Sequence, residues 1–159
     1  MIKKIISGGQ TGADRAGLDF AIWHDIPHAG WCPKGRLAED GIIDHRYCLR
    51  ETSTANYPQR TEKNVLDSDG TVIFTIAPHL TEGSRKTASF ATKHGKPFIH
   101  LHSQMYNCQQ GLLSFINENH IQVLNIAGSR KSKEPDICEF VKRTLEEPFF
   151  PRPSASWTT

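Results

Sequence analysis

The 159-residue sequence lacks several features that would assign it at once to a common class of protein. It has no apolar run near the roughly 18–20 residues that a membrane helix needs. The short apolar stretch at its start, which ends at a pair of glycines, does not fit a secretion signal. Charge of one sign is also lacking, because 19 Lys and Arg against 17 Asp and Glu leave a formal net charge of +2. We therefore expect a cytoplasmic protein that binds neither a membrane nor nucleic acid.

Metal-binding patterns are equally sparse. The four cysteines, at positions 32, 48, 108 and 138, form no C-x-x-C pair and have no zinc-finger spacing with histidine. Reduced, buried thiols are their expected state in the cytosol. His100 and His102 share one face of a predicted strand, and His24 and His28 lie across a helix end, but each pair lacks a third ligand. No metal site is predicted.

The sequence does have a regular alternation of short apolar runs and helical patterns. Strands are predicted over residues 3–7, 70–76, 97–102 and 122–127, and helices over residues 13–24, 84–94, 109–119 and 134–147. Residues 26–69 are less regular, with a strand expected near 29–32 and a helix near 59–66. This alternation predicts an α/β fold with a mainly parallel central sheet between two layers of helices.

The chain length fits one domain, which we place over residues 1–147. Residues 148–159 contain three prolines and have neither a helical nor a strand period. They are predicted to form an extended C-terminal tail that docks through Phe149, Phe150 and Trp157.

Ligands of an open parallel sheet bind beyond the carboxyl ends of its strands, and a glycine-rich loop follows the first predicted strand. Residues 7–15, Ser-Gly-Gly-Gln-Thr-Gly-Ala-Asp-Arg, open a helix, and Thr11 and Asp14 have capping-box spacing. Glycines let the backbone approach a ligand, and free N–H groups at the helix start suit phosphate. The loop is neither a Walker loop nor a G-x-G-x-x-G motif, and a tight turn without a ligand is the alternative. Its predicted ligand-binding residues are Gly8, Gly9, Gln10, Thr11, Gly12, Asp14 and Arg15.

Two further loops combine glycine with cations at predicted strand ends. Arg85 and Lys86 fall in the first turn of a predicted helix, where cations oppose the helix dipole unless an anion binds. Residues 128–133 carry three cations before another helix. Solvated charged turns are the alternative interpretation. The predicted ligand-binding residues are Gly83, Ser84, Arg85, Thr87, Gly128, Ser129 and Arg130.

A fourth candidate loop spans residues 31–36, Trp-Cys-Pro-Lys-Gly-Arg. Trp31 could stack on a planar ring, and Lys34 or Arg36 could pair with phosphate. The alternative, with Trp31 in the core and both cations on the surface, stays open on these residues alone.

Several segments together resemble a known family. They are residues 8–19, 30–36, 38–41, Tyr57, 60–65, 67–71, Gly83-Ser84, Thr87, 95–97 and 127–130. This pattern, which extends over about residues 5–147, is similar to the molybdenum carrier family, a branch of the SLOG superfamily. The resemblance implies a Rossmann-like three-layer sandwich, and it implies a cytosolic carrier of molybdenum cofactor (molybdopterin), a phosphorylated pterin. It also implies that the three glycine-containing loops bind this cofactor or another small phosphorylated, nucleotide-like ligand, and that the chain forms a homo-oligomer.

The resemblance leaves two alternatives to a carrier. Related Lonely Guy phosphoribohydrolases use a loop Pro-Gly-Gly-x-Gly-Thr-x-x-Glu whose Glu is catalytic. Here Phe90 stands at that position, which argues against hydrolysis and leaves Glu82, Asp14 or Glu39 as possible acid–base groups. The second alternative is a nucleotide-sensing module that recruits a partner through the C-terminal tail.

Overall fold

A computed structural model describes residues 1–150, with the side chain of Glu147 left out. In chain order the elements are β1 (Lys4–Ile6), α1 (Ala13–Trp23), β2 (His28–Ala29), β3 (Trp31–Cys32), β4 (Leu37–Ala38), β5 (Gly41–Ile42), β6 (Arg50–Glu51), α2 (Tyr57–Leu66), β7 (Gly70–Thr75), α3 (Glu82–Lys93), β8 (Phe98–His102), α4 (Cys108–Glu118), β9 (Val123–Gly128) and α5 (Ile137–Phe149).

The central sheet has five strands in the order β2-β1-β9-β7-β8, and every pair is parallel. Strand β7 is buried along its whole length, as expected for a continuous apolar run in the middle of a parallel sheet. Strand β9 lies between β1 and β7, so the loops that follow the first and the last strand are neighbours in space. The Rossmann-like α/β fold predicted from the sequence is confirmed.

Helices cover both faces of this sheet. Helix α5 packs against both α1 and α4, and α2 packs against α3. The larger core cluster joins apolar side chains of α1, α4 and α5 to the sheet, with Phe74 and Phe140 meeting edge to face at 5.7 Å between ring centroids. This arrangement is the predicted sandwich of three layers.

The single strand expected near residues 29–32 is wrong in detail. The structure splits it at Gly30, whose φ of 144° is open mainly to glycine. A Cβ atom at this position would collide with the backbone of Ser7. Strand β2 therefore stays in the main sheet, whereas β3 turns away and pairs with β6 in a separate two-stranded sheet.

Helix α5 differs from its predicted bounds at both ends. It begins at Ile137, and the carboxylate of Glu134 instead accepts hydrogen bonds from the backbone N–H groups of Ile76 and Ala77 at 2.9 and 2.7 Å. It ends at Phe149, so the first two residues of the predicted extended tail are helical.

Two of the three aromatic residues predicted to dock the tail do so. Phe149 packs against Phe20 at 5.3 Å between ring centroids, and Phe150 stacks on His24 at 4.2 Å. Trp157 lies outside the described residues. Within residues 1–150, no helix combines the length and the apolar character needed to cross a membrane.

Candidate functional site

A cleft of about 470 Å³ opens at the carboxyl edge of the sheet. Its walls come from the first glycine-rich loop, the cleft-facing side of α2, the start of α3 and the end of β9. Seven of the predicted ligand-binding residues line it: Gly8, Gln10, Asp14, Gly83, Thr87, Gly128 and Arg130. The three predicted loops therefore meet around one cavity.

A buried ion pair lies in the wall of the cleft. Asp14 is 7% exposed and Arg60 is 9% exposed, and Oδ2 of Asp14 accepts hydrogen bonds from Nη1 of Arg60 at 3.2 Å and from the backbone N–H of Gln10 at 3.3 Å. Burial raises the pKa of Asp14, although the charge of Arg60 acts in the opposite direction. Gly8 leaves room for this pair, because a Cβ atom there would lie 2.7 Å from Cζ of Arg60.

The predicted capping box at the start of α1 is wrong. The N-cap residue is Gly12, with φ of 84°, and no side chain within residues 1–150 caps the helix. The carboxylate of Asp14 is engaged by Arg60 and Gln10, and Thr11 donates its hydroxyl hydrogen to Glu39 while accepting a hydrogen bond from the N–H of Lys131 at 3.2 Å. Thr11 and Asp14, which suggested a cap, instead connect the start of α1 to the turn between β4 and β5 and to α2.

The glycines of the first and third loops permit close backbone packing. A Cβ atom on Gly12 would lie 2.7 Å from the backbone nitrogen of Lys131, and the N–H of Ala13 donates to the carbonyl of Ser129 at 3.0 Å. Gly128 has φ of 152°, and a Cβ atom there would lie 2.9 Å from that of Ala13 and closer still to the carbonyl oxygen of Phe74. These glycines let the first and third loops pack closely together beside the cleft.

Glu39, in the turn between β4 and β5, links the same two loops. Its carboxylate accepts hydrogen bonds from Thr11 and from both the N–H and the hydroxyl of Ser132, at 3.2 and 2.7 Å. Partial burial opposes ionisation, yet these hydrogen bonds hold the pKa of Glu39 below its ordinary value. Arg130 approaches the same carboxylate at 3.9 Å, so it is only loosely paired.

Three cations line the mouth of the cleft: Lys86, Arg130 and Lys133. Within residues 1–150, Lys86 and Lys133 form no ion pair, and 38% of the Arg130 side chain is exposed. Helix α3 begins beside them, where the hydroxyl of Thr81 accepts a hydrogen bond from the N–H of Ser84 at 3.3 Å. Unpaired cations next to a helix N-terminus form an environment that favours an anion.

The fourth predicted loop lies apart from this cleft. Arg36 is 8% exposed, and its guanidinium donates to the carbonyls of Ile43, Asp44, Tyr47 and Leu49 at 2.9–3.1 Å. This burial disfavours its predicted role in phosphate binding, because four of its five N–H donors are already bonded to the backbone. The indole N–H of Trp31 donates to Asp67, Lys63 covers its ring at 4.2 Å, and Lys34 is exposed away from the cleft.

The remaining predicted residues also lie outside the lining. Arg15 pairs with Asp40 and donates to the carbonyl of Gly9 at 2.9 Å. Ser84 is buried in the helix cap, and Arg85 is exposed on α3 next to Lys86. Thr11, Gly12 and Ser129 lie in the contact between the first and third loops.

Sequence reasoning missed the contribution of α2. Tyr57, Arg60, Thr61 and Asn64 all line the cleft, at positions i, i+3, i+4 and i+7 of one helix face. This polar stripe at helical spacing is the signal that could have revealed them. Tyr57 also lies under two guanidinium groups, those of Arg60 at 5.3 Å and Arg130 at 5.6 Å. Lys86, Lys133 and Glu82, which the sequence analysis considered without naming them as ligand-binding residues, also line the cleft. The other lining residues missed are Pro58, Thr81, Asn125, Ile126 and Ala127.

Comparison with known proteins adds a family and a similar solved structure. No curated protein matches the chain. The chain is similar to a crystal structure at 1.45 Å resolution of a protein named "Putative molybdenum carrier protein" from Syntrophus aciditrophicus SB, with 51% identity and a TM-score of 0.87 over 91% of this chain and 93% of that one. A model of the circularly permutated YpsA SLOG family matches residues 5–149. The resemblance noted in the sequence is thereby confirmed, and the chain belongs to the circularly permutated YpsA SLOG family.

Proposed function

We propose that this chain is a binding protein that carries a small phosphorylated heterocyclic ligand in the cleft. Molybdenum cofactor is the first candidate and a nucleotide-like molecule the second. The observation that carries the proposal is the convergence of Lys86, Arg130 and Lys133 at the mouth of a cleft beside the N-terminus of α3. The name of the similar protein from Syntrophus aciditrophicus supports the choice of molybdenum cofactor. The cytoplasmic location and the homo-oligomeric state stay predictions.

The residues of the cleft fit such a ligand. A volume of about 470 Å³ is within the range of small-molecule sites. Gly83 has no atom within 4 Å of the position of a Cβ, which leaves its backbone open to a phosphate. Within residues 1–150 no three His, Cys, Asp or Glu side chains are grouped to bind a metal ion. We therefore propose that the protein holds its cargo by the phosphate and the heterocycle.

The identity of the cargo is tested on the purified full-length chain. We expect native purification followed by denaturation to release a phosphorylated pterin detectable by mass spectrometry, together with molybdenum in elemental analysis. A nucleotide in place of the pterin would select the second candidate. Protein that contains neither species, and that binds neither guanosine monophosphate nor a pterin phosphate when they are added, would refute the proposal.

The cation site is tested by matched substitutions. Arg130→Ala and Lys86→Ala should each weaken binding of guanosine monophosphate, used as a probe, by about ten- to hundredfold, because charge-assisted hydrogen bonds contribute about 1.5–3 kcal/mol. Arg85→Ala removes the same charge from the neighbouring position outside the lining and should leave affinity within about twofold. Isothermal titration calorimetry provides the measurement. Equal losses in all three variants would indicate a diffuse charge effect in place of a defined site.

An enzyme is the second function that one observation favours. Among the three acid–base residues considered from the sequence, Glu39 is occupied by Thr11 and Ser132, whereas Asp14 is buried in the cleft wall with a raised pKa. Such a group could transfer a proton during cleavage of a nucleotide. Incubation with a panel of nucleoside monophosphates, followed by chromatography for the free base, tests this function. Release of base that Asp14→Asn abolishes would establish it.

A further inference from the structure

The wall of the cleft contains hydrogen-bonding atoms that no other side chain or backbone group of residues 1–150 uses. Gln10 is 5% exposed, and its Oε1 accepts hydrogen bonds from the N–H groups of Thr11 at 3.0 Å and Glu39 at 2.9 Å. Because two backbone donors fix the oxygen, the orientation of this amide follows from the network. Its Nε2 is then a buried donor without a partner among the described residues. Such a group is costly to leave unpaired.

The side chain of Asp14, in the same wall of the cleft, has an acceptor oxygen that no group of residues 1–150 uses. Asp14 is joined to Gln10 through the backbone N–H of Gln10, and both of its hydrogen bonds from the described residues go to Oδ2. A carboxylate has about four acceptor positions, and Oδ1 accepts no hydrogen bond within residues 1–150. The neighbouring Asn64 offers no such vacancy, because its amide is bonded at both ends to the backbone of Trp31.

The mouth of the cleft is a better place for the phosphate of a ligand than the wall around Asp14. Asp14 and Arg60 compensate each other's charge in that wall, whereas Lys86 and Lys133 at the mouth form no ion pair within residues 1–150. We therefore place the phosphate at Lys86, Arg130 and Lys133, and an uncharged part of the ligand against Gln10 and Asp14. That part must offer N–H groups to Asp14 and a carbonyl oxygen to Gln10.

We infer that Gln10 and Asp14 select a heterocycle whose edge presents a carbonyl oxygen beside N–H donors, as in the 2-amino-4-oxopyrimidine ring that guanine and pterins share. An adenine-type edge has the opposite pattern, with a ring-nitrogen acceptor in place of the N–H donor. The inference rests on the proposed function and specifies the class of heterocycle that the same cleft accepts. Gln10 and Asp14 are its specificity-determining residues.

The test varies the ligand on the unmodified full-length chain. Calorimetric titrations with guanosine, inosine and adenosine monophosphates should give the tightest binding for guanosine monophosphate. Inosine monophosphate, which lacks only the amino group, should be intermediate, and adenosine monophosphate should bind about ten- to hundredfold more weakly, because it leaves the buried groups unpaired. Equal affinity for the three nucleotides, or no binding of guanosine monophosphate, would overturn the inference.

Two further comparisons separate the possible failures. Guanosine against guanosine monophosphate tests the phosphate site alone, and equal affinity for these two would count against the proposed function whatever the base preference. Asp14→Asn should reduce the preference for guanosine over adenosine monophosphate to within about threefold, whereas Asp25→Asn, on the exposed C-terminal side of α1, should preserve it. Thermal melts of both variants identify a folding defect, and the nucleotide series on the unmodified chain decides the inference in either case.

Discussion

Arg36 and Arg130 occur in similar sequence, each within two residues of a glycine and a lysine in a polar loop, yet they have opposite roles in the structure. Arg36 is 8% exposed and donates to four backbone carbonyls. These hydrogen bonds hold the segment between β4 and β6 around its guanidinium. Arg130 keeps 38% of its side chain exposed and has only a loose contact with Glu39 at 3.9 Å. The guanidinium of Arg36 has four of its five N–H donors bonded to the backbone, whereas that of Arg130 has most of its donors available.

The comparison shows that a cation next to glycine is not enough to indicate an anion site. The number of backbone carbonyls that the local chain directs at the guanidinium decides its role. Around Arg36 the chain makes a tight loop without a helix, so its carbonyls lack helical partners and need donors. Near Arg130 the chain leads from β9 towards α5, and the Arg130 carbonyl itself accepts hydrogen bonds from the N–H groups of Lys133 and Glu134, both at 3.1 Å.

The largest expected effect is on the buried arginine. Arg36→Ala should lower the free energy of unfolding by about 3–5 kcal/mol, because it leaves several buried carbonyls without donors. Arg36→Lys should recover little, since one ammonium group cannot replace a fork that reaches four carbonyls. Urea denaturation measures both. Arg130→Ala is the matched control and should change stability by less than about 0.5 kcal/mol. Equal losses of stability in Arg36→Ala and Arg130→Ala would contradict the opposite roles of the two arginines.

Two glycines, Gly128 and Gly83, differ in the same way, one with a structural role and the other facing the ligand site. Gly128→Ala should cost about 2–4 kcal/mol, because it combines a left-handed φ with a collision against Phe74 and Ala13. Gly83→Ala has free space at its Cβ position and lies in the first turn of α3, so it should keep or raise stability by up to about 1 kcal/mol. Thermal unfolding monitored by circular dichroism compares the two variants. A destabilised Gly83→Ala protein would contradict the open position seen at the cleft.

How much the sequence could predict depends on the range of the interactions involved. The sheet and its helices were predictable because apolar periodicity is local: β7 follows from a continuous apolar run with β-branched residues, and α3 was predicted over residues 84–94 from its helical pattern. The grouping of three loops at one edge followed from the rule that ligands lie at strand ends. These predictions needed no knowledge of which side chains meet.

Most of the errors involve contacts between segments distant in the chain. The break at Gly30 depends on the approach of Ser7, and the true partner of Asp14 is Arg60, 46 residues away. The face of α2 that lines the cleft was also missed, although its polar stripe was present in the sequence. Local patterns do not contain the positions of such partners, because these are set when the layers pack.

After Arg36 and Gly128, the third and smallest loss of stability that we expect at a structural residue concerns Glu134, whose carboxylate binds the loop after β7. Burial opposes ionisation of Glu134, but the N–H groups of Ala77 and Ile76 hold its pKa below the ordinary value. A lowered pKa means that the ionised side chain stabilises the fold fully above the unfolded-state pKa, about 4.3 for glutamate, and that this contribution is lost as the pH falls through the folded-state value.

Glu134→Gln should therefore cost about 1–2 kcal/mol at pH 7, since its amide can accept from one N–H but presents a donor to the other. The gap to the unmodified protein should shrink as the pH approaches 3, and Glu139→Gln, on the exposed side of α5, is the matched control for the change of a carboxylate to an amide. Chemical denaturation at pH 7, 5 and 3 measures both, and a constant difference across this range would show that the charge of Glu134 does not support the loop.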